Sequence, residues 1–261
     1  MARTPVADNE PHDPSRLPDE ADHPSGSHPS AVDSAVEHIG DVASAVVDAV
    51  KPRLRGWIHA GTFPLALLGC IVLAMAAEPG AGRNATIVFG ITAILLFGTS
   101  AVYHLGTWSP KVAGILRRAD HSNIFLIIAG SYTPMAVYLL SESRARVLLI
   151  IVWTGALLGL AARIIWLGAP RWVYVPIYLA LGWVAVGYMP VFWQAESGPT
   201  SVILIAIGGL AYTLGAIVYA LKRPNPSPQW FGFHEVFHVL TVIGFSFHFA
   251  AVAVAAVAAA G

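Results

Sequence analysis

Two histidines four residues apart bracket a glutamate in the run His234-Glu235-Val236-Phe237-His238. On a helix that spacing places both imidazoles on one face, close enough to grip a single metal ion. The run also matches the H-E-x-x-H pattern in which a glutamate serves soluble zinc peptidases as general base. Here the surrounding segment is apolar enough to cross a bilayer, where ionisable groups are costly and mark function. His104 is the third imidazole expected at the same depth, with Asp120 and His121 nearby and His59 at the same level. Three imidazoles (His104, His234 and His238) with a fourth position left open suit a catalytic zinc. Such an ion polarises a carbonyl and makes water nucleophilic near neutral pH, so hydrolysis of an amide or ester is the chemistry expected. Asp120 and Glu235 compete to orient that water or take its proton, although Asp120 could instead cap a helix. His59 and His121 are weaker candidates for any direct role. His248 lies ten residues beyond His238, ~15 Å deeper at helical rise, and is expected to be a buried, hydrogen-bonded histidine.

The elements that must position these groups follow from composition. The chain has 261 residues, 56% hydrophobic and only 11% charged, with a mean hydropathy of +0.65. That is far more apolar than a soluble domain and predicts an all-α, multi-pass protein of the cell membrane. Seven apolar stretches are expected, roughly 57–77, 84–106, 120–140, 146–167, 171–192, 200–221 and 234–256, each near the ~20 residues a spanning helix needs. Breakers separate them, among them Glu78-Pro79-Gly80, Trp108-Ser109-Pro110, Gly168-Ala169-Pro170 and Pro224-Asn225-Pro226. Pro64, Pro134, Pro176 and Pro190 fall inside spans, where a bundle tolerates them as kinks. Cys70 sits alone in an apolar run and reads as a small core residue.

Formal neutrality hides a division. Residues 1–50 hold ten acidic residues and two basic ones, against 15 of each in the whole chain. Residues 1–50 are therefore read as an acidic tail, disordered over its first thirty residues and weakly amphipathic thereafter, ahead of a membrane domain spanning 51–261. No apolar stretch follows a basic start, so a signal peptide is not expected. One set of loops and helix ends carries ten basic residues (Lys51, Arg53, Arg55, Lys111, Arg117, Arg118, Arg163, Arg171, Lys222, Arg223); the other carries three (Arg83, Arg144, Arg146). The positive-inside rule then puts the amino terminus in the cytoplasm, and His59, His104, Asp120, His121, His234 and His238 all at the inner leaflet.

Several motifs resemble those of the hemolysin III family, which groups with the progestin and adipoQ receptors and is distantly similar to alkaline ceramidases. They are Ser100-Ala101-Val102-Tyr103-His104, Arg118-Ala119-Asp120-His121-Ser122, Ala129-Gly130-Ser131-Tyr132-Thr133-Pro134, and the His234–His238 run with His248 ten residues on. The likeness covers the membrane body from about Lys51 and leaves the acidic tail unmatched. It implies a seven-helix bundle with an intramembrane zinc on His104, His234 and His238, and it places Ser100 and Asp120 beside the metal-bound water. The position of Glu235 is not a family ligand, which ranks Asp120 above it. One motif departs: relatives carry a Glu and an Asn upstream of the histidine that opens the first helix, where this chain has Pro52 and Arg55. His59 itself fits, and Arg55 reads as a topological anchor.

Three function classes follow. The first is a zinc-dependent hydrolase of a lipid amide or ester that enters from the inner leaflet. The second is a receptor-like sensor of membrane state whose zinc is structural. The third, suggested by the family name, is a cytolytic pore, which the lack of polar rows along the spans disfavours. The expected partner is a membrane lipid, as substrate or ligand; no nucleic-acid partner is expected.

Overall fold

Proline, glycine and serine set the helix boundaries, and seven long apolar helices fill the segments between them. The computed structural model describes residues 52–166 and 170–260; the acidic tail lies outside the described residues. The helices are α1 (Trp57–Ala76), α2 (Ala81–Leu105), α3 (Pro110–Leu139), α4 (Glu142–Ile165), α5 (Arg171–Phe192), α6 (Gly198–Leu221) and α7 (Phe233–Ala258). All seven are long and apolar enough to span a membrane, and the chain is a multi-pass membrane protein. Side chains such as Leu65, Met75 and Ile165 remain well exposed, as expected of surfaces whose solvent is lipid rather than water.

One boundary differs markedly from the sequence expectation. The third helix starts at Pro110, ten residues before the expected 120. Ser109 caps it by accepting from the Val112 amide at 3.5 Å, and Pro110 occupies the first turn, where a missing N–H costs nothing. Lys111, Arg117 and Arg118 are good helix formers but lower the local hydropathy, so a hydropathy window hides this stretch. At 30 residues α3 is ~45 Å long, longer than the ~30 Å hydrocarbon core. Asp120 consequently lies three turns inside the helix rather than at its start.

α3 is also the centre of the bundle. Its most apolar window is 67% buried, against 22% for α1 and for α5. Polar side chains along it reach backbone carbonyls of the neighbouring helices: Asn123 Nδ2 donates to Leu95 O of α2 at 2.8 Å, and the Tyr132 hydroxyl donates to Gly182 O of α5 at 2.6 Å. Such bonds tie helices together where no water is at hand. One apolar cluster, with Phe125, Tyr132, Leu148 and Phe192, joins α3 to α4, α5, α6 and α7. A second, with Cys70, Phe89, Phe97 and Phe245, joins α1, α2 and α7. The first helix is entered through a turn at 52–56 that is bonded to the α6–α7 loop by Arg53 N–H to Gln229 O and Leu54 N–H to Trp230 O.

Candidate metal centre

His104 comes from the last turn of α2, and His234 and His238 from the first two turns of α7. The i, i+4 spacing puts the α7 pair on one face, and the bundle brings the end of α2 against it. One ring nitrogen from each of the three lies within 4.8 Å of the others, and His104 Nε2 and His234 Nε2 are 3.2 Å apart. Two nitrogens on one tetrahedral zinc at ~2.0–2.1 Å would stand about 3.4 Å apart, so the spacing fits. His238 Nδ1 is buried with no hydrogen-bond partner. A borderline-soft ion that favours imidazole suits this donor set.

A second layer of polar groups surrounds the triad. Asp120 Oδ2 lies 3.7 Å from His104 Nε2. Ser100 precedes His104 by one turn on the same face of α2 and interacts through its side chain with Asp120; its Oγ is 2.8 Å from His59 Nδ1. The His59 ring, 2% exposed, stacks on His238 with centroids 3.8 Å apart and planes 12° from parallel, and it meets Phe97 edge-on. His59 is thus built into the centre, although the sequence ranked it low. Its signal was only a histidine at the right level of the first helix.

Glu235, between the two α7 histidines, is fully buried and already engaged. Its Oε1 accepts from Arg55 Nε at 2.7 Å, and its Oε2 accepts from the Gly232 amide at 2.8 Å, a capping box that starts α7. The carboxylate therefore serves as an anchor for the histidine-bearing turn, and Arg55 is its ion-pair partner. Next to it, Gly56 has φ +89°, and a Cβ there would stand 2.8 Å from His104 Cβ. The 52–56 turn touches both histidine-bearing helix ends, α7 through Arg55 and α2 through Gly56.

The other histidines are held elsewhere. His121 bonds Arg117 O at 2.6 Å and the Tyr219 hydroxyl at 3.1 Å. Tyr219, whose ring approaches His234 at 5.9 Å, was not singled out from the sequence, because an aromatic near a helix end is indistinguishable there from an interfacial anchor. His248 lies deeper, with Nε2 3.3 Å from Ile205 O.

A cavity of about 290 Å³ starts at His59, Ser100, Asp120, His234 and His238 and continues between α3, α5, α6 and α7 along an apolar wall that includes Ile128, Met135, Val175 and Met189. The cavity is polar at one end and apolar along its length, with a volume near the lower bound of ~300 Å³ for small-molecule sites.

Fold and site together define a seven-helix integral membrane protein with a buried cluster of three imidazoles able to hold a metal. The chain matches the haemolysin-III related family over residues 47–249, and it belongs to that family. It is 32% identical to a Hemolysin-3 homolog of Bacillus subtilis over 56% of this chain and 68% of that protein. To Hemolysin-3 of Bacillus cereus it is 28% identical, over 61% and 73% respectively. A more distant likeness, 26% identity, extends to the Adiponectin receptor protein of Drosophila melanogaster over 74% of this chain and 48% of that one.

Proposed function

We propose that this protein is a zinc-dependent hydrolase of a membrane lipid amide or ester, with the basic end of the bundle in the cytoplasm and the site beneath the inner leaflet. The continuity of the cavity carries the reading: one chamber joins the imidazole cluster and Asp120 to an apolar channel suited to an acyl chain. His104, His234 and His238 would hold the ion, which when bound supplies a Lewis acid that polarises a carbonyl and acidifies a water. Asp120 lies 3.7 Å from His104 and lines the cavity, which supports a role in which it would orient a water and accept its proton. Ser100 steadies Asp120, and His59 fixes Ser100 in turn. The apolar wall excludes bulk water and aligns the tail so that its carbonyl reaches the polar end.

Purified protein should bind about one zinc per chain, and His104→Ala, His234→Ala and His238→Ala should each abolish stoichiometric binding. Incubated with fluorescent ceramides and other acyl lipids, the wild type should release fatty acid, and Asp120→Ala should stop release while keeping the metal. Zinc retained by all three histidine variants would end the proposal. Metal binding without turnover of any lipid would shift the balance to a receptor-like sensor in which the ion ties α2 to α7.

A further inference from the structure

Most polar side chains on the cavity wall are satisfied within the protein. Ser131 donates to Ile127 O, Thr213 to Gly209 O, Thr241 to Phe237 O and Tyr132 to Gly182 O. Away from the imidazole cluster, two lining residues carry buried polar atoms without a partner: the Tyr212 hydroxyl of α6 and His248 Nδ1 of α7. Their rings meet edge-to-face at 5.2 Å, and no hydrogen bond joins them. An unsatisfied buried polar atom calls for an explanation, all the more at membrane depth, where bulk water is not available.

Both side chains hold their places because the facing helix is stripped to glycine. A Cβ on Gly208 would stand 2.4 Å from the His248 ring, and one on Gly244 would stand 2.9 Å from the Tyr212 ring. The two polar groups are complementary. With Nε2–H given to Ile205 O, a neutral His248 presents Nδ1 as an acceptor, while Tyr212 presents an O–H donor. An acceptor and a donor on two neighbouring rings match a hydroxyl, which does both. His248 lies ten residues past His238, and Tyr212 lies seven before Tyr219, whose ring adjoins His234. At helical rise the pair is therefore ~10–15 Å from the polar end of the chamber.

We propose that Tyr212 and His248 form a hydroxyl-recognition subsite, so that the protein selects lipids whose acyl chain carries a hydroxyl part-way along its length. The subsite rests on the reading of the cavity as a lipid chamber and names the substrate class within it. It is tested by binding, independently of turnover. The full chain in nanodiscs is titrated with fatty acids whose hydroxyl is walked along the chain, using displacement of a fluorescent fatty acid as the signal. One narrow window of hydroxyl positions should bind about tenfold tighter than the unsubstituted acid. Tyr212→Phe and, separately, His248→Gln should erase that preference while leaving the unsubstituted acid and the zinc content unchanged. A flat profile across positions, a preference that survives both substitutions, or no binding of any fatty acid overturns the subsite. A positional preference in a protein that hydrolyses no lipid would keep the subsite and remove the hydrolase. Hydrolysis without positional preference would do the reverse.

Discussion

Replacing Arg55 by methionine should weaken zinc binding about a hundredfold. Glu235 is fully buried and the Arg55 side chain is 20% exposed, with Nε 2.7 Å from Oε1. Removing one partner of a buried pair costs ~3–5 kcal/mol, because the remaining charge cannot recover its hydration. The Gly232 amide stays on Oε2, and Arg55 is partly solvated, so the lower bound of about 3 kcal/mol applies. Glu235 sits between His234 and His238 on the same turn and a half of helix, so relief of the stranded charge moves the turn that carries both imidazoles. If that strain is expressed in the metal-loaded form, ~3 kcal/mol corresponds to roughly a hundredfold in the dissociation constant, the upper range for partners that orient metal ligands. The assay is competition for zinc with a chromogenic chelator in detergent, alongside thermal unfolding of the metal-free protein. The double substitution Arg55→Met with Glu235→Leu removes the stranded charge and should recover part of the loss. Zinc affinity within twofold of wild type in Arg55→Met, or a double variant no better than the single one, would refute the positioning role.

Gly56→Ala should lower zinc affinity by displacing His104, and it should also reduce thermal stability, since an L-residue at φ +89° costs ~1–2 kcal/mol before the 2.8 Å approach is relieved; unchanged affinity would show that the turn does not set the position of His104. His59→Phe keeps a ring against His238 but loses the bond to Ser100. Its loss of ~0.5–1.5 kcal/mol predicts up to a tenfold drop in kcat for lipid hydrolysis with zinc content intact. Metal analysis showing lost zinc in that variant would assign His59 to ion retention rather than to the orientation of Ser100.

The seven spans were legible because hydropathy is a property of consecutive residues, and the His234/His238 pair was legible because a helix converts spacing directly into a shared face. The start of α3 was not, since Lys111, Arg117 and Arg118 favour helix while obscuring it from a hydropathy window. The sequence by itself determined that the chain is an all-helical membrane protein with imidazoles gathered toward its basic end. Only the tertiary structure decided how they are held. Glu235 and Arg55 are 180 residues apart, the His59 ring lies on that of His238, and Gly56 packs against His104. The physical reason is that a charge, a ring face and a missing Cβ acquire meaning only from what packing brings against them, and local periodicity carries no information about that partner.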